Sequence, residues 1–450
     1  MQDQNPTAPE PPRKRGRLRG TAVTLVLGVV MFAVGAVGLA PPGSSPTGPA
    51  EGGKASRTTA AGRGSVAALQ ERVRRLPKDT VGWAALGMAY VQQARATADP
   101  ATYDRAENAL RTSLKLQPSG NHPAETAMGA LAAGRHDFAE ALDWAERATT
   151  TNPYSATAHG VLADAYTQLG RYEDAYRAVQ RMVDLRPDSA SYARASYTWE
   201  LRGDVGRARD LMTRSLGAAA TTGERSFART HLALLALENG DPRTALAQAG
   251  AGLGEDARDT ALLEARARAH AALGDTERAV TDYTAAIAIA PLPHHLLGLG
   301  ELQQALRRPE QAEAQYAILR AQEQIRRASG GPADVDAILF EADHGDARKA
   351  VTMAGETVAG RPFIAVHDAY AWALHRAGRS TDALAHADQA LALGTRSALF
   401  HYHRGMIHAS LGHSAQAQGD LRRALAIDPR FHPLHAPEAR STLSRIDGTA

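Results

Sequence analysis

The chain of 450 residues contains no cysteine. That excludes disulfides, thiolate metal centres, a thiol nucleophile and attachment of a lipid through an N-terminal cysteine. Aromatic residues amount to only 5%, so any core must be built from small and aliphatic side chains. An excess of one charge is missing as well: 51 Lys and Arg stand against 48 Asp and Glu. The small basic surplus is local. Residues 1–64 hold eight basic and three acidic side chains, and the remainder holds 43 against 45. No phosphate-binding stripe emerges, and nucleic acid is not expected as a partner. Catalytic signatures are also lacking. There is no G-x-S-x-G, no H-E-x-x-H and no phosphate-binding G-x-x-x-x-G-K-[ST], and Gly298 and Gly300 fall within an expected helix rather than after a strand. The chain is therefore read as non-enzymatic, with no cofactor.

Long apolar runs are absent but for one. Thr21 to Ala40 is an uncharged stretch of 20 residues, which as a helix spans about 30 Å, the thickness of a bilayer's hydrocarbon core. Arg13, Lys14, Arg15, Arg17 and Arg19 precede it. A basic tail over 1–20, a transmembrane helix or signal anchor over 21–40 and an N-in orientation follow, with the rest of the chain outside the cytoplasm. The competing reading is secretion after cleavage at Gly38-Leu39-Ala40, although Pro41 disfavours that site. Residues 41–64 hold four Pro and six Gly and are expected to form a flexible linker.

What the sequence has is a period. Ala106, Ala141, Ala175, Ala208, Ala245, Ala279, Ala312, Ala350, Ala383 and Ala417 stand 33 to 38 residues apart, which is the spacing of a helical repeat array. Each period reads as helix A, a turn and helix B. Gly170, Gly203, Gly240, Gly274, Gly345, Gly378 and Gly412 end helices A, while Pro153, Pro187, Pro291, Pro362 and Pro429 follow helices B; Gly suits the left-handed cap and Pro cannot continue a helix. Ten units are counted. Extra residues around Arg95 to Pro100 and between Gly134 and Ala141 predict lengthened turns. Arg307 replaces the turn Gly of the seventh unit, and Gln322 to Pro332 predicts a prolonged helix followed by a break.

In the first unit Trp83, Leu86, Gly87 and Tyr90 fill W-x2-L-G-x2-Y, followed by Ala106, Leu110 and Pro118. On these residues the chain resembles the tetratricopeptide repeat (TPR) family. The C-terminal segments Tyr370 to Gly378 and Phe400 to Met406 look similar to those of membrane-anchored TPR proteins from high-GC, actinobacterial-type bacteria. The resemblance implies an all-α fold: a right-handed superhelical solenoid of about ten helix-turn-helix units over 65–431, closed by a capping segment over 432–450.

It also implies a scaffold at the cell envelope that binds a protein or peptide in its concave groove. In the family that groove is lined by the residues just after the Trp, Gly and Tyr slots, which share one stripe of helix A. Here the stripe carries Asp164, Thr167, Tyr197, Glu200, Glu264, Arg268, Glu301, Gln304, Asp368, Trp372, His375, Tyr402 and Met406. Trp372 and Tyr402 are expected to be exposed anchors, as aromatics commonly are at interfaces. Ten of the 17 histidines lie between His344 and His435. His159, His367 and His401 fill the Trp83 slot and His270 and His408 the Tyr90 slot, so they read as packing residues inside a helix pair. No metal site is assigned. An extracytoplasmic carrier of a small ligand or metal, using the His-rich C-terminal units, in which His432 and His435 are the pair free of the repeat framework, is the alternative.

Overall fold

The computed structural model describes residues 65–97, 100–328 and 333–448. Twenty-two α-helices and no strand occur among them. A helix Val66–Arg75 is followed by ten antiparallel pairs and a closing helix His435–Ile446. The pairs begin with Thr80–Thr97 and Pro100–Leu116 and end with Ala398–Ser410 and Ser414–Ile427.

The period marks the line along which each pair touches. Nine of the ten repeat alanines are 0% exposed and Ala312 is 3%, because a methyl group is the largest side chain the crossing admits. Helix starts are capped by short polar side chains: Asp137, Ser155, Asp204, Asp241, Asp275 and Ser397 each accept a backbone N–H of the first turn, satisfying donors that have no partner within the helix. Gly170, Gly203, Gly240, Gly274, Gly378 and Gly412 have positive φ, as does Arg307 at 59°, so in these units the turn slot keeps its left-handed conformation even where Gly has been replaced; Gly345 departs from the expectation, following its helix at φ −137°.

Two expected long turns are not found. The first unit's extra residues extend its helix A to Thr97, since nothing between Thr80 and Thr97 breaks a helix. In the second unit helix A ends at Gly134 and helix B starts at Phe138, with His136 at φ 64° supplying the left-handed turn. Pro309–Ala328 is the prolonged helix expected there, at 20 residues. The segments expected to cross the membrane (21–40) and to act as a linker (41–64) lie outside the described residues. Among those described, no helix is long and apolar enough to cross a membrane.

The solenoid folds back on itself in a constant register. The A–B turn of each of units two to five meets the chain entering the position six units further on. His136 lies 3.5 Å from Asp334, before unit eight. In unit three the Tyr172 hydroxyl accepts the Ile364 N–H at 3.0 Å and the Gln168 Oε1 accepts Arg361 Nε at 2.6 Å, both beside the start of unit nine. In unit four the Leu201 carbonyl accepts the Thr395 hydroxyl at 2.6 Å, before unit ten. Gly240 of unit five lies against Ile427 and Asp428, after unit ten. Leu201, Phe363, Ile364, Ala365 and Val366 form a buried cluster across this seam, each larger side chain contributing roughly 1.5–3 kcal/mol.

Gly203 shows how tight the seam is. A Cβ there would lie 2.3 Å from the Gly394 carbonyl oxygen, whereas one on Gly378 would meet nothing within 4 Å, although both have positive φ. Gly378→Ala is therefore expected to cost about 1 kcal/mol from backbone strain alone, and Gly203→Ala about 1–3 kcal/mol more from the clash. Denaturant titration of the two variants measures the difference; equal losses would show that the turns do not press on one another.

Candidate functional site

The expected groove residues all lie on helices A, and towards the C-terminus the chain itself covers them. Trp372 is 1% exposed and Tyr402 0%, which corrects their reading as exposed anchors. The closing helix His435–Ile446 lies over them, with Ala439, Leu443 and Ile446 in the same apolar cluster and Phe431 beside it. Trp372 Nε1–H donates to Asp343 at 2.9 Å, and its ring stacks on His403 with centroids 4.2 Å apart. The Tyr402 hydroxyl donates to Glu438 at 2.7 Å, and its ring stacks on His435 at 4.8 Å. Asp368, also buried, accepts His403 Nδ1–H at 2.9 Å. His375 bonds Ser380 at 3.0 Å, and Met406 is half-buried against the same cluster. These residues share one stripe of helix A. Its aromatics are covered because the last 16 described residues turn back onto it.

His432 and His435, considered free of the repeat framework, are both engaged. His432 Nε2 lies 2.9 Å from Glu301 of unit seven, whose other oxygen is 3.2 Å from His344. Burial opposes ionisation of Glu301, but the two imidazoles hold its carboxyl well below the usual range. Burial likewise works against a charged His435, yet hydrogen bonds to Asp343 and Glu438 hold it up at about 9. The other histidines sit as their slots require. His159 meets the Pro153 carbonyl at 3.0 Å, as Trp83 Nε1 meets that of Pro77 at 2.9 Å. His367 and His401 face His386 and Asp420 on helix B of their own units at 2.9 Å. His270 lies near Asp275, and His408 bonds His413.

The middle units leave the inner face more open. Tyr197, Glu200, Glu264, Arg268 and Asp336 are half-buried, and Glu238 and Gln304 are exposed; Gln304 accepts the Tyr316 hydroxyl at 3.0 Å. Acid predominates here. Burial and then the neighbouring Glu238 carboxylate push Glu200 up to about 8. Glu238, though exposed, is enclosed by surrounding protein closely enough that desolvation raises it against the pull of Arg268, and burial followed by Asp334, Glu264 and Glu301 brings Asp336 to about 7. Arg268 interacts with Glu264, Glu238 and Asp428. Glu238 was missed in the sequence because the stripe rule applied to unit five gives Thr230, Leu234 and Leu237, and Glu238 lies one residue beyond the last of these. Asp336, Asp343 and the pair His294–His295 were also missed; the last two lie beside Glu264.

Tetratricopeptide repeat models match residues 130–196, 231–292 and 398–431. These segments are tetratricopeptide repeats. Their matches fall on units two to four, five and six, and ten, and the helix pairs between them repeat the same pairing, with the left-handed turn kept in units seven and nine. None of the curated proteins matches the chain. Similar solved structures include a tetratricopeptide repeat protein from Parabacteroides merdae, 18% identical, covering 58% of this chain and 98% of that one with a TM-score of 0.34. PilW, described as a type IV pilus biogenesis factor, is 17% identical over 44% of this chain and 92% of its own, with a TM-score of 0.38. The pilF of Pseudomonas aeruginosa is 16% identical over 49% and 97%, also at 0.38.

Two outcomes follow from the geometry. Trp372→Ala should lower stability by about 3–5 kcal/mol, read as a shift in denaturation midpoint; a variant as stable as the parent would return Trp372 to the surface. The second concerns pH. The native state keeps a proton on Glu200 that the unfolded chain releases near 4.5, so the fold loses stability as pH rises from there through about 8. His435 adds a loss of the same sign between its ordinary 6.5 and about 9. Melting temperature should therefore fall between pH 6 and 9, and Glu200→Gln should flatten that fall without abolishing it. An unchanged slope in Glu200→Gln would count against the assignment.

Proposed function

We propose that this TPR array is a non-enzymatic scaffold holding a basic protein segment against the inner face of units four to eight. The observation that supports the reading is the concentration of acid there. Glu200, Glu238, Glu264, Glu301 and Asp336 line one surface with Arg268 as their cation, and three of the five are pushed toward the protonated form. A Lys or Arg side chain entering would relieve that unfavourable charge. It would be attracted more strongly here than at a fully hydrated surface.

The scaffold is tethered to the membrane by residues 21–40 with its array outside the cytoplasm, serving assembly of an envelope complex. This part rests on the apolar run and the five cations before it. The carrier alternative using His432 and His435 is not favoured, since both are committed to carboxylates of this chain. A photoreactive residue at Gln304, on the open inner face, should crosslink a partner in native membranes, whereas one at Arg177 on an outer helix should not. Glu200→Gln with Glu238→Gln should weaken that capture at least fivefold, and a chain lacking residues 1–40 should leave the membrane fraction. Capture indifferent to both carboxyl substitutions would overturn the proposed site.

A further inference from the structure

Beside the acidic face lies a group of side chains that protein packing alone leaves unsatisfied. Glu264 is on helix A of unit six (Thr260–Leu273), and His294 and His295 are in the first turn of helix A of unit seven (Pro293–Ala305). Their ligand atoms all lie within 4.8 Å of one another. His294 Nε2 is 3.3 Å from Glu264 Oε2, and His295 Nε2 is 3.8 Å from the same oxygen.

His295 is 0% exposed. Its Nδ1 lies 3.0 Å from the Ala290 carbonyl oxygen. A carbonyl only accepts, so Nδ1 carries the proton and, in the neutral ring, Nε2 presents a bare lone pair. That nitrogen is buried without a hydrogen-bond partner and faces a carboxylate oxygen. Two electron-pair donors thus face each other across a buried gap that calls for a positive centre. A backbone carbonyl on the far nitrogen is also how metal-binding imidazoles are oriented.

We infer that Glu264, His294 and His295 form a binding site for a divalent transition-metal ion of the zinc type. Two imidazoles and one carboxylate are a zinc donor set; with ligands about 2.0–2.2 Å from the ion, tetrahedral geometry sets them roughly 3.4 Å apart. The distances of 3.3 and 3.8 Å bracket that spacing. Arg268, on the same helix as Glu264, competes for the carboxylate. The fourth position is left to water. Because the ligands come from neighbouring repeats, the ion would join unit six to unit seven at the centre of the array.

The test is titration of the purified full chain with zinc, followed by calorimetry, and with cobalt, followed by its visible absorption. One ion per chain, a four-coordinate cobalt spectrum and a zinc-dependent rise in melting temperature are expected. Glu264→Gln and His295→Ala should each weaken binding at least a hundredfold, and His432→Ala with His435→Ala should leave it unchanged. Circular dichroism establishes that each variant is folded, and Glu264→Gln, which keeps the shape of the side chain, serves where a histidine variant is not. Absence of stoichiometric binding by the parent chain overturns the site. So does binding that survives in folded Glu264→Gln or depends on His432 and His435.

Discussion

The seam between successive turns of the superhelix is the contact on which the rest of this molecule depends. In an open solenoid each repeat touches only its neighbours, and stability is a sum of local terms. Here His136, Tyr172, Leu201 and Gly240 each rest on chain six units ahead. Glu200 and Asp336 lie within three residues of the seam contacts at Gly203 and Asp334, and both are raised by burial. Their raised pKa values are thus a consequence of the way the array is wound.

The second constraint is the chain's use of its own end. Apolar inner stripes are a hazard at the last repeat, where no further unit covers them. The helix His435–Ile446 covers this one, and it does so with chemistry as well as surface: Glu438 takes the Tyr402 hydroxyl, His435 stacks on the Tyr402 ring, and His432 reaches Glu301 of unit seven. Cap, tenth unit and seventh unit therefore form one body, and the inner face is divided into a packed C-terminal part and a more open acidic middle.

Much of this could be read in the sequence where the cause is local. The alanine period located every helix crossing, and the turn slot keeps its conformation at Arg307 as it does at Gly274. His159 in the slot of Trp83 even makes the same bond to a proline carbonyl. What was illegible is what accumulates. The six-unit register arises from small rotations summed over six helix pairs, and no motif within one unit records that sum. Phe363 to Val366 look like any helix start until their partner Leu201 is known. Trp372 sits on the predicted stripe and yet is core, because its environment is decided by residues some 60 positions later.

A constant offset of six also bears on how such a chain can change in length. An open array can gain or lose an internal repeat and merely become longer or shorter. Excision of unit six or unit seven would instead bring every turn of the first coil against the wrong linker, like a zip closed one tooth out of step. Gly203 would then face a linker other than the one that leaves it room. Internal repeat number is thus held as tightly as a core residue, and variation in length is confined to the ends.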